Sequence, residues 1–307
     1  MLSEAELRLL AELRGERSVS ALAAELDRSR SYTSELVSQV ESTGVVETRK
    51  QGQTKFVSPA GVKAVELFQN ITQRHGHVEW PSLLAGAALK VLYYLDTPHS
   101  VSGLETCAPV HRSTVYRVLE PLEHRGIVYK TENGAYALNE EFTILSQFAR
   151  ELAHQLHRAT VDSHTHTYTL LWESVDEFLV QTPNQIDHEN FHATGPAQFQ
   201  AYGIPLLARE RRYYLYSDTA ATVPPEALCC HMLVIEKGTR TQSYCLLLLS
   251  HVEFDTETLR TQAEKYGVAE PIEALLTYLK TRGIETTATL PTWDEFEALA
   301  EEYEVTV

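Results

Sequence analysis

Cysteine is scarce in this chain: 307 residues hold four, two of them adjacent at Cys229-Cys230, and no pair stands at Cys-x-x-Cys spacing. A disulfide framework and a thiolate zinc site are therefore excluded as readings of the sequence. Long apolar runs are missing as well. The longest, CLLLLS at 245–250, is far short of the roughly 20 residues that cross a bilayer as a helix. The catalytic signatures with a physical rationale are absent too: no P-loop, no GxGxxG and no Ser/His/Asp elbow. The expectation is a protein without enzymatic activity and without a cofactor. The first residues, MLSEAELRLLAELRGER, mix acids with bases and do not read as a signal peptide, so a cytoplasmic location is expected.

What is present is an ordinary globular composition, 43% hydrophobic and 22% charged, which excludes wholesale disorder. The net charge of −16 is unevenly placed. Residues 1–160 carry 17 basic against 19 acidic side chains, whereas residues 161–307 carry 9 against 23. Two halves so different in charge imply two kinds of partner.

An internal repeat organises the first half. Shifted by 82 residues, SVSALAAELDRSRSYTSELVSQVESTGVV (18–46) lies without a gap over SVSGLETCAPVHRSTVYRVLEPLEHRGIV (100–128), with nine of 29 positions identical. Each copy opens on a Leu-faced helix, through Leu7, Leu10 and Leu13 or Leu89, Leu92 and Leu95. The SVS triplet caps a short second helix, and a turn leads to a third that ends at Gly44 or Gly126, a residue suited to the left-handed C′ position. Two β-branched residues then start a polar hairpin, and in the second copy Asn133-Gly134 signals a type I′ turn. In RSTVYRVLEPLEHRGIV (112–128), Val115, Leu119 and Leu122 share one helix face, which leaves Arg112, Ser113, Thr114, Tyr116 and Arg117 on the other.

Helix–helix–turn–helix with a following hairpin is the winged helix-turn-helix pattern. Both copies resemble archaeal and bacterial regulators of the MarR and TrmB type, whose usual core, S-x-V-Y/S-R-x-L-x-x-L-x-x-x-G-I/L-V, is closely matched by STVYRVLEPLEHRGIV; copy one carries Thr33 and Glu35 where apolar and basic residues are usual. The resemblance covers about residues 1–140 and implies duplex DNA as partner. An α-helix fits the major groove and presents its N-terminal residues to base edges, with Arg suited to guanine and hydroxyls to phosphates. The expected contacts of copy one are Arg28, Arg30, Ser31, Tyr32 and Ser34, with Arg49, Lys50 and Lys55 on its hairpin. Those of copy two are Arg112, Ser113, Thr114, Tyr116, Arg117 and Lys130. Whether one copy or both touch DNA stays open, since some winged helices serve only protein contacts.

A helix trails each hairpin. Residues 140–160 place Leu145, Ala149, Leu152, Leu156 and Ala159 at 4-3-4-3 spacing, a short coiled-coil seam. In the regulators that the repeat resembles, such a helix commonly joins two subunits, so a homodimer is expected; packing against the chain's own C-terminal half is the other reading. The expected fold class is α+β: winged-helix domains at 1–78 and 79–160, then an acidic α/β domain with a mixed sheet at 161–307 that receives a small-molecule effector or a protein partner.

In that last domain TYTLLW (167–172), EFLVQT (177–182), RYYLYS (212–217), HMLVIE (231–236) and SYCLLLLS (243–250) read as strands, alternating with helical stretches at 195–203, 256–267, 271–283 and 292–305. HATGPAQFQAYGIP, YYLYSD and the run from Asp255 to Leu279 faintly resemble AbiE-type antitoxins and their nucleotidyltransferase-like relatives. That resemblance implies a second reading, an antitoxin-like protein that binds a partner and autoregulates its operon. A working nucleotidyltransferase would need a Gly-Ser loop with paired carboxylates for Mg²⁺, and Ser217-Asp218 has no preceding Gly. His154, His157, His164 and His166 are the only metal candidates, against the plainer reading of surface histidines. Cys229-Cys230 reads as buried strand residues, with redox sensing as the alternative.

Overall fold

The offset of 82 residues in the sequence is also the offset of the secondary structure. In the computed structural model, which describes residues 1–206 and 211–307, the first repeat runs α1 (Glu4–Glu12), β1 (Arg17–Ser18), α2 (Val19–Glu25), α3 (Arg30–Ser42), β2 (Val46–Gln51), β3 (Thr54–Pro59) and α4 (Lys63–Arg74). After a short helix α5 (Trp80–Leu84), the second repeat runs α6 (Ala87–Tyr94), α7 (Val101–Cys107), α8 (Arg112–His124), β4 (Val128–Lys130), β5 (Tyr136–Leu138) and α9 (Ile144–Asp162). The pairs α2/α7 and α3/α8 coincide residue for residue at that offset.

The coincidence has local causes. Ser18 and Ser100 cap α2 and α7, their hydroxyls accepting the Ala21 and Gly103 N–H at 3.2 and 3.0 Å, which satisfies donors that a helix start leaves unpaired. Gly44 and Gly126 stop α3 and α8 with φ of 72° and 68°, a conformation that a Cβ disfavours. At Gly44 a Cβ would also collide with the Gln155 amide.

The first repeat carries an antiparallel sheet of order β1-β3-β2, the second a β4-β5 hairpin. His99, which occupies the position of Arg17, bridges Tyr136 as Arg17 bridges Val57. The second hairpin does not use the expected type I′ turn. The Thr131 N–H donates to the Ala135 carbonyl at 2.7 Å and the Gly134 N–H to the Thr131 carbonyl at 2.9 Å. The loop is therefore three residues long, and only Gly134, not Asn133, takes a positive φ. Loops of that length close with a type I turn followed by a left-handed residue.

Both repeats belong to one unit, Met1–Ser163, with one continuous apolar core. The two Leu-faced helices bury Leu7, Leu10, Leu13, Leu89, Leu92 and Leu95, and α8 buries Val115, Leu119 and Leu122. Most of the expected dimer seam packs within this unit. Leu145, Ala149 and Leu152 are fully buried inside this unit, where α9 packs on α4 and α6. Leu156 packs against the same core, partly buried, and Ala159 is half-buried. The 4-3-4-3 spacing is real, but its partner helices come from the same chain.

The second unit, His164–Val307, has its own core. Its strands β6 (Thr169–Glu173), β7 (Phe178–Thr182), β8 (Phe191–Thr194) and β9 (Arg212–Tyr216) form a sheet of order β6-β7-β9-β8. Every pairing in it is antiparallel, so the expected mixed sheet is corrected. A 3-10 helix Gly195–Tyr202 lies between β8 and β9, and α10 (Pro225–Ile235), α11 (Thr239–His251), α12 (Thr256–Tyr266), α13 (Ala269–Thr281) and α14 (Trp293–Glu302) follow. HMLVIE and SYCLLLLS therefore lie largely on helices, not strands. In α10 every residue from Glu226 to Leu233 is buried, and in α11 so is the run from Cys245 to Leu249. A helix buried all round loses the 3.6-residue stripe that would distinguish it from a buried strand. The whole is an α+β fold of helices and small sheets. No helix among the described residues is long and apolar enough to cross a membrane.

Candidate nucleic-acid interface

The outward faces of α3 and α8 begin at their caps. Ser29 precedes α3, its hydroxyl accepting the Tyr32 N–H at 3.2 Å. Thr33, which stands where the resemblance has an apolar residue, is fully buried and returns its hydroxyl to the Ser29 carbonyl at 3.0 Å. That hydrogen bond lets a polar residue fill a core position at little cost. Arg28, Arg30, Ser31 and Tyr32 are exposed, and Ser34 is half-buried at the edge of the face. Tyr32 keeps 42% of its surface in water.

His111 caps α8, its Nδ1 accepting the Ser113 N–H at 3.2 Å. His111 carries no sequence signal for this role, because His is outside the usual cap residues. Arg112, Ser113, Tyr116 and Arg117 are exposed and Thr114 is half-buried. The Arg112 guanidinium lies 5.9 Å from the centre of the Tyr116 ring, and the Tyr116 hydroxyl raises its already high pKa further. The two side chains form a pre-oriented cation–aromatic pair one helical turn apart. Arg30 and Arg117 make no ion pair among the described residues.

The hairpins differ from the helices in this respect. Arg49 lies 4.8 Å over the ring of Phe56, its cross-strand neighbour, and is gripped at two nitrogens by Glu16. The same contact holds the Glu16 carboxyl below its ordinary range. Lys55 binds Glu41 of α3 at 3.0 Å. Burial works to raise the Glu41 pKa, but the hydrogen bonds from Thr48 and Lys55 outweigh it and the carboxylate stays ionised. Lys50 faces Lys55 across the ladder and is itself exposed without an ion pair among the described residues. Of the three expected cations of the first hairpin, two are thus answered by acids, Glu16 and Glu41. In the second hairpin Lys130 lies 5.7 Å from the Tyr136 ring centre, and Tyr129 beside it, also unassigned from sequence, is 45% exposed. Arg49 and Glu16 are 33 residues apart, so no local pattern could have paired them.

The other candidates sit elsewhere. His154 and His157 are on α9, His157 buried. His164 and His166 belong to the second unit, where the His164 ring is 5.0 Å from that of His188; burial first, and then His188, lowers its pKa. No group of three or more His, Cys, Asp or Glu side chains able to hold a metal occurs among the described residues. Cys229 and Cys230 are buried on α10, not on a strand; the Cys245 thiol and then burial raise the Cys229 thiol well above its ordinary range, and burial first raises that of Cys230. Thiols held protonated this way are poor redox sensors. Ser217 donates to Glu177 at 2.7 Å and Asp218 accepts from Asn190 at 2.7 Å, so both serve the turn after β9.

No curated protein and no solved structure matches the chain. Residues 188–305, all within the second unit, match the model of one family, described as HVO_2833_C, C-terminal.

Proposed function

We propose that this chain is a cytoplasmic DNA-binding regulator of transcription, with its two repeats acting as winged helix-turn-helix modules and its acidic second unit receiving an effector or a protein partner. The observation that carries the reading is the pair of solvent-facing helix flanks. α3 and α8 start at the same repeat position, turn their apolar side into one core, and present Arg30 and Arg112 to solvent without an ion pair among the described residues, each one residue after its cap. Hydroxyls and tyrosines flank both guanidiniums, the mixture that suits a groove floor and its phosphate walls.

The near-neutral first half carries no broad basic surface, so attraction to DNA rests on a small set of cations and falls steeply with salt. The test is a gel shift against the protein's own promoter at several salt concentrations. Arg112→Ala should weaken specific binding by about 1–3 kcal/mol, the ordinary cost of losing one base-reading arginine, with Arg30→Ala compared in parallel. Unaltered binding in both variants would remove the helix assignment.

A further inference from the structure

We infer that one chain reads a bipartite duplex site by itself, its two repeats standing in for the two subunits of a dimer, and that the two half-sites differ in sequence. The inference rests on the DNA reading above and goes beyond it in stoichiometry and in the form of the site.

The first support is the fate of the trailing helices. α4 and α9 pack on one another, with the Phe68 and Phe148 rings stacked at 5.3 Å. Leu145, Ala149 and Leu152 of the α9 seam are fully buried against α4 and α6, which leaves only Leu156 and Ala159 partly open. The second support is the way the repeats interlock. The Gln155 amide of α9 donates to the Thr43 and Gly44 carbonyls, at 3.4 Å each, where α3 of the other repeat ends. Beyond α8, Arg125 and Ile127 line one hollow with His75 and His77, which follow α4, while Gly126 itself has open space around it. The segment after each hairpin thus runs to the end of the opposite repeat's third helix, in direct contact at α9 and across a hollow at α4, an arrangement like that of an isologous pair but not an exact copy of it. A shared core fixes the spacing of the two outward faces, which is what two segments at a set separation on one duplex require.

The faces themselves are unequal. Arg30 and Ser31 recur as Arg112 and Ser113, but Tyr32 is replaced by Thr114 and Ser34 by Tyr116. The common Arg-Ser pair should select the same base step twice, while the positions after it select different ones. The preferred duplex is an imperfect repeat, not a palindrome.

Selection of the full-length protein on a randomised duplex library, followed by hydroxyl-radical footprinting and sedimentation of the complex, tests this. The expected result is two protected segments of unequal sequence with one chain per duplex. Arg30→Ala should lower affinity about 5- to 150-fold through one segment only, and Arg112→Ala by a similar factor through the other. Both side chains are exposed, and thermal melting confirms that the variants stay folded. A palindromic site occupied by two chains, or both variants acting on the same segment, would overturn the inference and leave the DNA reading standing. Absence of binding to every duplex would overturn both.

Discussion

At the scale of single residues the chain balances cations against acids with some precision. Glu16 and Glu41 hold Arg49 and Lys55, so the first hairpin is less basic toward a ligand than its sequence suggests. Glu16→Ala should free Arg49 for a phosphate. Duplex affinity should then rise, and the slope of log K against log salt should steepen by about 0.9, which salt-dependent gel shifts would detect. A second residue sets a pH response. His231 on α10 is fully buried, hydrogen-bonded to Thr194 at 2.8 Å and packed edge-on against Tyr266. Burial above all, with Lys265 adding to it, pulls its pKa down to about 3. An unfolded histidine titrates near pH ~6.5, so as pH falls below that value only the unfolded state takes up this proton. Its contribution to stability is complete above about 6.5 and is lost at about 1.4 kcal/mol per pH unit down to the folded pKa. Urea melts at pH 5 and pH 7 should show the second unit weaker at the lower pH, and His231→Leu should remove most of that difference.

At the scale of elements, α9 is the informative case. Its heptad-like spacing is the pattern of a helix that meets another helix, and spacing carries no mark of whose helix that is. The structure supplies α4 and α6. Leu152→Ala should therefore cost about 2–5 kcal/mol by opening a cavity in the core of the first unit, lowering its melting temperature. The molar mass in solution, read by light scattering, should not change. A fall in mass with little loss of stability would reinstate the helix as a subunit seam. The capped elements, by contrast, were legible in advance. Ser18, Ser100, Gly44 and Gly126 act within three or four residues of their own position: α2 and α7 start after the two serines, and α3 and α8 stop before the two glycines. α10 and α11 were illegible for the opposite reason. Unbroken apolar sequence tells of burial and is silent on whether the buried backbone is coiled or extended.

At the scale of the molecule, charge and architecture divide at the same place. The first unit, near neutral, carries both outward-facing helices; the second, with nearly all the excess acid, carries the antiparallel sheet and the region matching the HVO_2833_C family. Each has a core of its own. Residues 1–163 expressed alone should therefore melt cooperatively and keep their affinity for duplex DNA within a few-fold of the whole chain, a comparison that calorimetry and gel shifts would settle. Failure of this fragment to fold would mean that the two cores are not independent.

The repeat, its caps, the amphipathic third helices and the split of charge were determined by the sequence itself, because each depends on interactions between near neighbours or on counting. Only the tertiary structure decided that the trailing helices pair within the chain, that Glu16 neutralises Arg49, that the sheet of the second unit is antiparallel throughout, and that its most apolar stretches are helical. Those outcomes turn on which distant segment fills a given apolar face or answers a given charge, and the free energy of burial is blind to sequence separation.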